Sequence, residues 1–498
     1  MDRPIFLWDV LHKLLMGSLA LFIAITFWVF SVGFLVLNLF LAWFRLWRWL
    51  GVWNLVAIRF LMRWRNLYDT SKLARPNPDG DPRALRWDPR YLFQRTADGT
   101  FNDLEEPRMG SANTRFARNV PFNRLLNRSD IEKQLQDPDS QLLTPNPREV
   151  SRQLLTRDRF KPATSLNLLA AAWIQFQVHD WFNHRREEPA DPKKYSSKDH
   201  IAIPLENGDP WPDAQDEPRD PKRPGQKWMW IRKTEADSTR EPIPSNPPQP
   251  DDPPDPPTFI NTETHWWDGS QLYGSSPERQ GDLRAFTGGK LQLENLEKDG
   301  KIVGKRLPPE KNKDFPGVDL TGFNDNWWVG LSLFHTLFAL EHNVICDRLI
   351  EAYPGWDDER LFQTARLINV AVMAKIHTVE WTPAILGHPT LLIGMRANWW
   401  GILTERLTKS IGRFKILGGV QEEISGIPAS EKDHHTAPYY LTEEFVAVYR
   451  MHPLIPDRYR FYSAQNDELL TACSLGEIHG NKTRDFMKGI AFEDLFYS

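Results

Sequence analysis

The sequence predicts a mainly α protein behind an N-terminal membrane segment. Three observations carry that reading: four apolar segments with helix start signals, few alternating strand patterns, and a 31-residue uncharged run near the N-terminus.

The uncharged run lies between Lys13 and Arg45, with Asn38 as its only amide. As one helix it would be about 46 Å long against a hydrocarbon core of about 30 Å, so it must tilt, break near Ser31 and Gly33, or double back. A cleaved signal would have a shorter apolar region and a small-residue end, whereas this run ends in FRLWRWL. Arg45, Arg48, Arg59, Arg63 and Arg65 follow it and only Arg3 and Lys13 precede it, which directs the rest of the chain to the cytosolic side. Trp and Leu alternate with Arg from Trp47 to Trp64, as in an interfacial amphipathic helix. Residues 1–66 are therefore expected to be membrane segment plus interfacial helix, and 67–498 one catalytic domain.

Within that domain, residues 69–147 are rich in Pro, Asn, Asp and Arg and should be loops. A Pro/Asp-rich insertion at about 189–257 contains PSNPPQPDDPPDPP and should build no core. Thr164 or Ser165 can cap LNLLAAAWIQFQVHDWF, which is apolar nearly all round and so should be central. NWWVGLSLFHTLFALEHNVICDRLI is a second long helix, and Asp357 can cap DERLFQTARLINVAVMAKIHTVEW. Thr442 caps EEFVAVYRM, Leu441 can staple against Val446, and Pro453 should stop the helix.

A formal charge of -4 offers no polybasic surface, so nucleic acid is excluded as a partner class. The 21 tryptophans suit a membrane interface and a large apolar interior. Cys346 and Cys473 cannot make a disulfide framework, and neither has metal-ligand spacing. The histidines lack HExxH-like spacing, which disfavours a metal-dependent hydrolase.

Chemistry concentrates in three places. In YRMHP, Tyr449 and His452 are three apart, so on a helix a metal-ligating imidazole would hold the phenol beside the same cofactor. In WIQFQVHDWFNH, Gln175 and His179 share a helix face while Asp180 is turned about 100° away, so one helix can serve two sites. A histidine with an amide beside it suits the distal side of a haem; it equally suits a satisfied core residue, and HDWFNH could be a surface turn. In NTETHWWDGS, Thr264, Trp266, Asp268 and Ser270 alternate, so an extended loop would point their oxygens one way. With Asp180 they make a hard-oxygen set favouring Ca²⁺, or else a turn whose Asp and Ser cap their own backbone.

Taken together, RTADGTFNDL, AAAWIQFQVHDWF, THWWDGSQLYGS, LFALEHNVICD, AKIHTVEWT, LIGMRANWWGIL and EEFVAVYRMHPLIPD resemble the fatty-acid α-dioxygenases of the peroxidase-cyclooxygenase superfamily, in the family's order. The resemblance implies a haem peroxidase-like helical domain with long loops. It implies haem b with His452 as proximal ligand, His179 on the distal side with Gln175 near it, and Tyr449 as the radical-forming residue. It implies Ca²⁺ held by Asp180, Thr264, Trp266, Asp268 and Ser270. The implied reaction uses an activating peroxide and O2 to convert a long-chain fatty acid from membrane lipid into its 2-hydroperoxy acid. A plain haem peroxidase and a membrane-anchored haem-binding pseudoenzyme are the alternatives. The sequence ends 46 residues after His452 (498 minus 452), ahead of the family's Asn partner of the proximal His and its carboxylate-anchoring Arg. Where the family's carboxylate-binding His is sought, the chain reads RLPPEKNKD. The chain as given is therefore expected to be weakly active or inactive.

Overall fold

A computed structural model describes residues 87–498 except 105–106, 119–129, 131–132, 135–142, 164, 187–194, 196–198, 212–224, 235–258, 299–300, 312–316, 401–403, 413–414, 417–418 and 421–439, together with six isolated positions between 18 and 36. Those six are helical. The expected membrane run and interfacial helix otherwise lie outside the described residues, as does Thr164.

The chain divides into two units, one of 1–67 with 375–437 and one of 68–374 with 438–498. This differs from the single 67–498 domain expected from sequence. In the first unit a wide helical turn, Ile376–Trp381, is followed by helices Thr382–Ile385, Pro389–Trp400 and Thr404–Ile411. Trp399 Nε1 donates to Thr378 Oγ1 at 2.7 Å, tying that turn to the helix after it.

The second unit is built on helices, and sheet is limited among the described residues to two-stranded antiparallel pairs. In chain order the elements that matter are β1 (Thr114–Arg115), α1 (Leu168–Trp181), β2 (His200–Pro204), β3 (Trp228–Arg232), β4 (Ile260–Asn261), α2 (Ser270–Tyr273), α3 (Val329–Ala352), α4 (Asp358–Lys375) and α5 (Glu443–Val448). β1 pairs with β4, Thr114 opposite Asn261.

Being apolar all round, α1 must be covered on every side. Ala170, Ala171, Ala172, Trp173, Ile174, Phe176 and Trp181 are all buried. Its main partner is α3: Phe176 stacks on Phe338 with centroids 5.3 Å apart, and Trp173 meets Phe334 edge-on at 5.4 Å. α3 is long and apolar enough to cross a membrane, yet most of it is buried inside the unit, so it is a core helix. α1 starts after Asn167, with no side-chain cap, rather than at Ser165. Burial against α3 on one side and α2 on another replaces the local signal.

α4 begins as expected, with Asp357 Oδ1 accepting from Arg360 N–H at 2.8 Å. At α5, Thr442 Oγ1 accepts from Phe445 N–H at 3.2 Å, and Leu441 packs on the cluster containing Val446. That helix stops sooner than expected. It ends at Val448, Tyr449 has ψ 70°, and His452–Leu454 is a separate 3₁₀ turn with Pro453 inside it. Pro453 has no N–H to give to the Tyr449 carbonyl and disfavours helical backbone just before it, so the break falls ahead of the proline.

The stretch at 189–257 is not without structure. β2 and β3 pair, Ile201 opposite Ile231, and Ile203, Leu205 and Met229 form a buried cluster with Trp211 packed on it. Prolines end β2, fill the long connection between the strands and follow β3, so composition averaged over the whole stretch hid its β-branched and aromatic run.

Candidate functional site

One cavity of about 230 Å³ brings together the two histidine segments that lie far apart in the sequence. α1 contributes Gln175 and His179, and the turn after α5 contributes Tyr449, Met451 and His452. The expectation that Tyr449 and His452 share one helix face is corrected. They share a cavity wall because α5 ends and the chain turns, so tertiary placement does what helical periodicity was expected to do.

His179 is buried, and its ring meets Phe323 edge-on at 4.7 Å. Its Nδ1 is buried without a hydrogen-bond partner. Burial pulls its pKa down to about 3, so the imidazole is neutral. His452 stands exposed at the cavity wall, where partial desolvation and then Arg450 also lower its pKa. Gln175 is fully committed: Oε1 accepts from Trp328 Nε1 at 2.6 Å and Nε2 donates to the Asn326 carbonyl at 3.2 Å. Tyr449 stacks on Phe445 at 4.8 Å and faces Trp181 at 6.1 Å.

Asp180, one residue on, points the other way, as the helical turn requires. Its Oδ1 accepts the Ser270 N–H at 2.6 Å, the first amide of α2. Around it, Thr264 Oγ1 lies 3.3 Å from Ser270 Oγ and 3.5 Å from the Trp266 carbonyl. Asp268 Oδ2 accepts from Asn102 Nδ2 at 2.8 Å, while Oδ1 accepts no hydrogen bond and has Arg95 Nε at 3.8 Å. All five residues of the expected oxygen set are buried. The loop is not extended through Ser270, because Gly269 turns it with φ 69° and starts α2. A Cβ at Gly269 would lie 2.9 Å from both the Tyr273 ring and Val370, so glycine is required there. At Gly99 a Cβ would meet Thr264 at 2.9 Å and Asp268 Oδ2 at 3.1 Å, showing how closely the backbone wraps the cluster.

Burial holds Asp180 far above the usual carboxylate range; the Ser270 amide opposes this and Asp268 adds repulsion. Arg366 of α4, fully buried, donates through Nε to the Asp268 carbonyl at 3.1 Å and through Nη1 to the Thr96 carbonyl at 3.0 Å. The oxygen cluster is thereby tied to α1, α2 and α4 together.

Sequence reasoning missed His184, Arg186, Asp325 and Arg450, all of which line the cavity. The signal for His184 was present in HDWFNH, where a surface turn was an open alternative. It sits just after α1, with its ring stacked on Phe116 at 4.4 Å.

Comparison with known proteins bears on the family and the fold. The animal haem peroxidase family profile matches residues 94–498. The chain is 33% identical over 417 residues to the alpha-dioxygenase PIOX of Oryza sativa, covering 82% of this chain and 57% of that protein. It is 31% identical over 470 residues to alpha-dioxygenase 1 of Arabidopsis thaliana, covering 92% and 62%. Among solved structures it matches an Oryza sativa fatty acid alpha-dioxygenase variant with palmitic acid, at TM-score 0.69 and 30% identity, over 93% of this chain and 66% of that one. The Arabidopsis thaliana fatty acid alpha-dioxygenase matches at TM-score 0.67 and 29% identity, over 89% and 60%. The chain thus spans about three fifths of the length of the relatives it matches. Its fold is the mainly helical one of the haem peroxidases. A profile match over residues 94–498, with relatives about 30% identical over most of the chain, establishes that the chain belongs to the animal haem peroxidase family.

Proposed function

We propose that this chain carries the catalytic core of a haem-dependent fatty-acid α-dioxygenase. The observation that carries the reading is the single cavity lined by His179, Tyr449 and His452. Metal ligation by histidine requires the neutral imidazole, and both rings have lowered pKa values. His452 would ligate haem from the side of the Tyr449 turn, and His179 would stand on the other side. When bound, haem supplies the oxidising power drawn from peroxide.

The chain's own residues do the rest. His179, neutral and buried, accepts a proton from a peroxide and returns it to the departing oxygen. Tyr449, once its phenolic hydrogen atom is lost as an electron and a proton to the oxidant that bound haem supplies, takes as a radical a hydrogen atom from the carbon beside the substrate carboxylate and becomes a phenol again. O2 adds to the carbon radical, and the peroxyl group takes a hydrogen atom back from the Tyr449 phenol, giving the 2-hydroperoxy acid and regenerating the tyrosyl radical. Gln175 is held at both ends and acts by shaping the distal wall. The relative solved with palmitic acid supports a long-chain fatty acid as substrate.

The oxygen cluster suits Ca²⁺, held by Asp180, Asp268, the Thr264 and Ser270 hydroxyls and the Trp266 carbonyl. Such a cation would remove the repulsion between the carboxylates and fix α1, hence His179, against the loop. Membrane association through the N-terminal run belongs to the same proposal. The helical positions Ile25, Val29 and Val36 expose their apolar side chains, as lipid-facing residues do. Release of the protein from vesicles by alkaline carbonate alone would contradict this anchor.

The decisive experiment compares wild type with Tyr449→Phe after haem loading. Oxygen uptake with palmitate should fall to background in the variant while the Soret band and the oxidation of small phenols survive. A wild type that oxidises small phenols but takes up no oxygen with palmitate would favour a plain peroxidase, and equal loss of both activities in the variant would show that the substitution harms the fold.

A further inference from the structure

The two walls of the cavity come from segments 259 residues apart, and a polar contact joins them: His184 Nε2 lies 2.8 Å from Glu443 Oε2. His184 belongs to the stretch that leaves α1. That stretch is fastened to the β4 segment by Arg185 N–H to the Ile260 carbonyl at 3.0 Å, Thr262 N–H to the Asn183 carbonyl at 2.8 Å, and Asn261 Nδ2 to the Trp181 carbonyl at 2.8 Å. With its ring stacked on Phe116, the imidazole has a fixed position on the distal side. Glu443 is the first residue of α5, the helix that ends at Tyr449. Its N–H donates to the Ala117 carbonyl at 3.0 Å, and its Oε1 is buried without a hydrogen bond.

The other links between the end of α1 and α5 are ring contacts: Trp181 with Phe445 at 6.2 Å, Trp181 with Tyr449 at 6.1 Å, and Phe182 with Phe445 at 6.2 Å; Arg118 Nε to Glu444 Oε1 at 2.9 Å ties α5 to the β1 segment instead. Apolar contacts hold two surfaces together but fix their angle and register weakly, because the attraction has little direction. A hydrogen bond to a carboxylate has direction, and this one acts on a helix of only six residues. We propose that His184 and Glu443 form a latch that sets the placement of Tyr449 relative to His179, which makes His184 a positioning residue for the tyrosyl chemistry. The latch stands on geometry alone; its catalytic consequence rests on the function proposed above.

The test places 3-fluorotyrosine at position 449 and reads its ¹⁹F resonance in the cofactor-free protein, with the melting temperature alongside. His184→Phe keeps a ring against Phe116 and removes the bond, whereas His184→Gln keeps a donor. The expected result is one sharp resonance in wild type, a broadened or split resonance in His184→Phe, and recovery in His184→Gln. An unchanged single resonance in folded His184→Phe overturns the latch, whatever happens to the melting temperature. Should that variant fail to fold, Glu443→Ala is read by the same criterion. In haem-loaded protein treated with peroxide, His184→Phe should lower the tyrosyl radical signal about tenfold with the Soret band retained. A wild type that binds haem but forms no tyrosyl radical refutes the dioxygenase reading and leaves the latch to be judged by the fluorine resonance.

Discussion

The two walls of the cavity are built on opposite principles. The His179 wall is a 14-residue helix buried on nearly every side and stacked on α3 through aromatic rings. The Tyr449–His452 wall is a six-residue helix with one buried residue, followed by a turn in which His452 is exposed. One wall is held by the core and the other by a cap, ring contacts and polar contacts at its edge, among them His184–Glu443 and Arg118–Glu444. His179 is thus placed where desolvation keeps its imidazole neutral, and Tyr449 and His452 are placed where the backbone breaks from its helix.

This contrast can be broken or sharpened by measurement. Phe176→Ala opens a cavity between α1 and α3 and should cost about 3–5 kcal/mol by denaturant unfolding. A cost near that of a surface change would show that the distal wall is not core-held. Next in size is the test of the proposed Ca²⁺ site: after calcium loading, chelation should lower the stability of wild type by about 2.7 kcal/mol for ion present at a hundredfold its Kd. Asp268→Asn should be insensitive to the chelator. An equal response in both proteins would show that the carboxylates are satisfied by protein groups such as Asn102 and Ser270. The smallest effect is Thr442→Ala, which removes the α5 cap and should cost about 1 kcal/mol. Its signature is local: amide exchange should accelerate in residues 443–449 and stay unchanged in α1. Acceleration spreading through α1 would mean that the two walls unfold as one.

The parts of the fold legible in the sequence are those decided by local or periodic signals. Asp357 and Thr442 cap where their side chains predict, and Leu441 packs on the cluster of Val446, because caps and staples need only a few neighbouring residues. The all-apolar character of α1 announced its burial. Less legible were the true start of α1 at Leu168, the early end of α5, and the β2–β3 hairpin inside a proline-rich stretch. In the first of these a contact with a distant element outweighs the local preference. In the second Pro453 acts on residues before it, and in the third the prolines in and around the long connection mask a short pairing signal.

The sequence alone determined the family, through the ordered motifs that include YRMHP, WIQFQVHDWF and THWWDGS. Residue types and their order suffice for that, because a motif is a property of the chain before it folds. Only the tertiary structure decided that Tyr449 and His452 meet His179 across one cavity without sharing a helix, that Asp180 reaches Ser270, and that His184 faces Glu443. These pairings span from 90 to 259 residues of chain where a bond is formed. No local periodicity reaches that far, so they are set by which surfaces the buried core brings into contact.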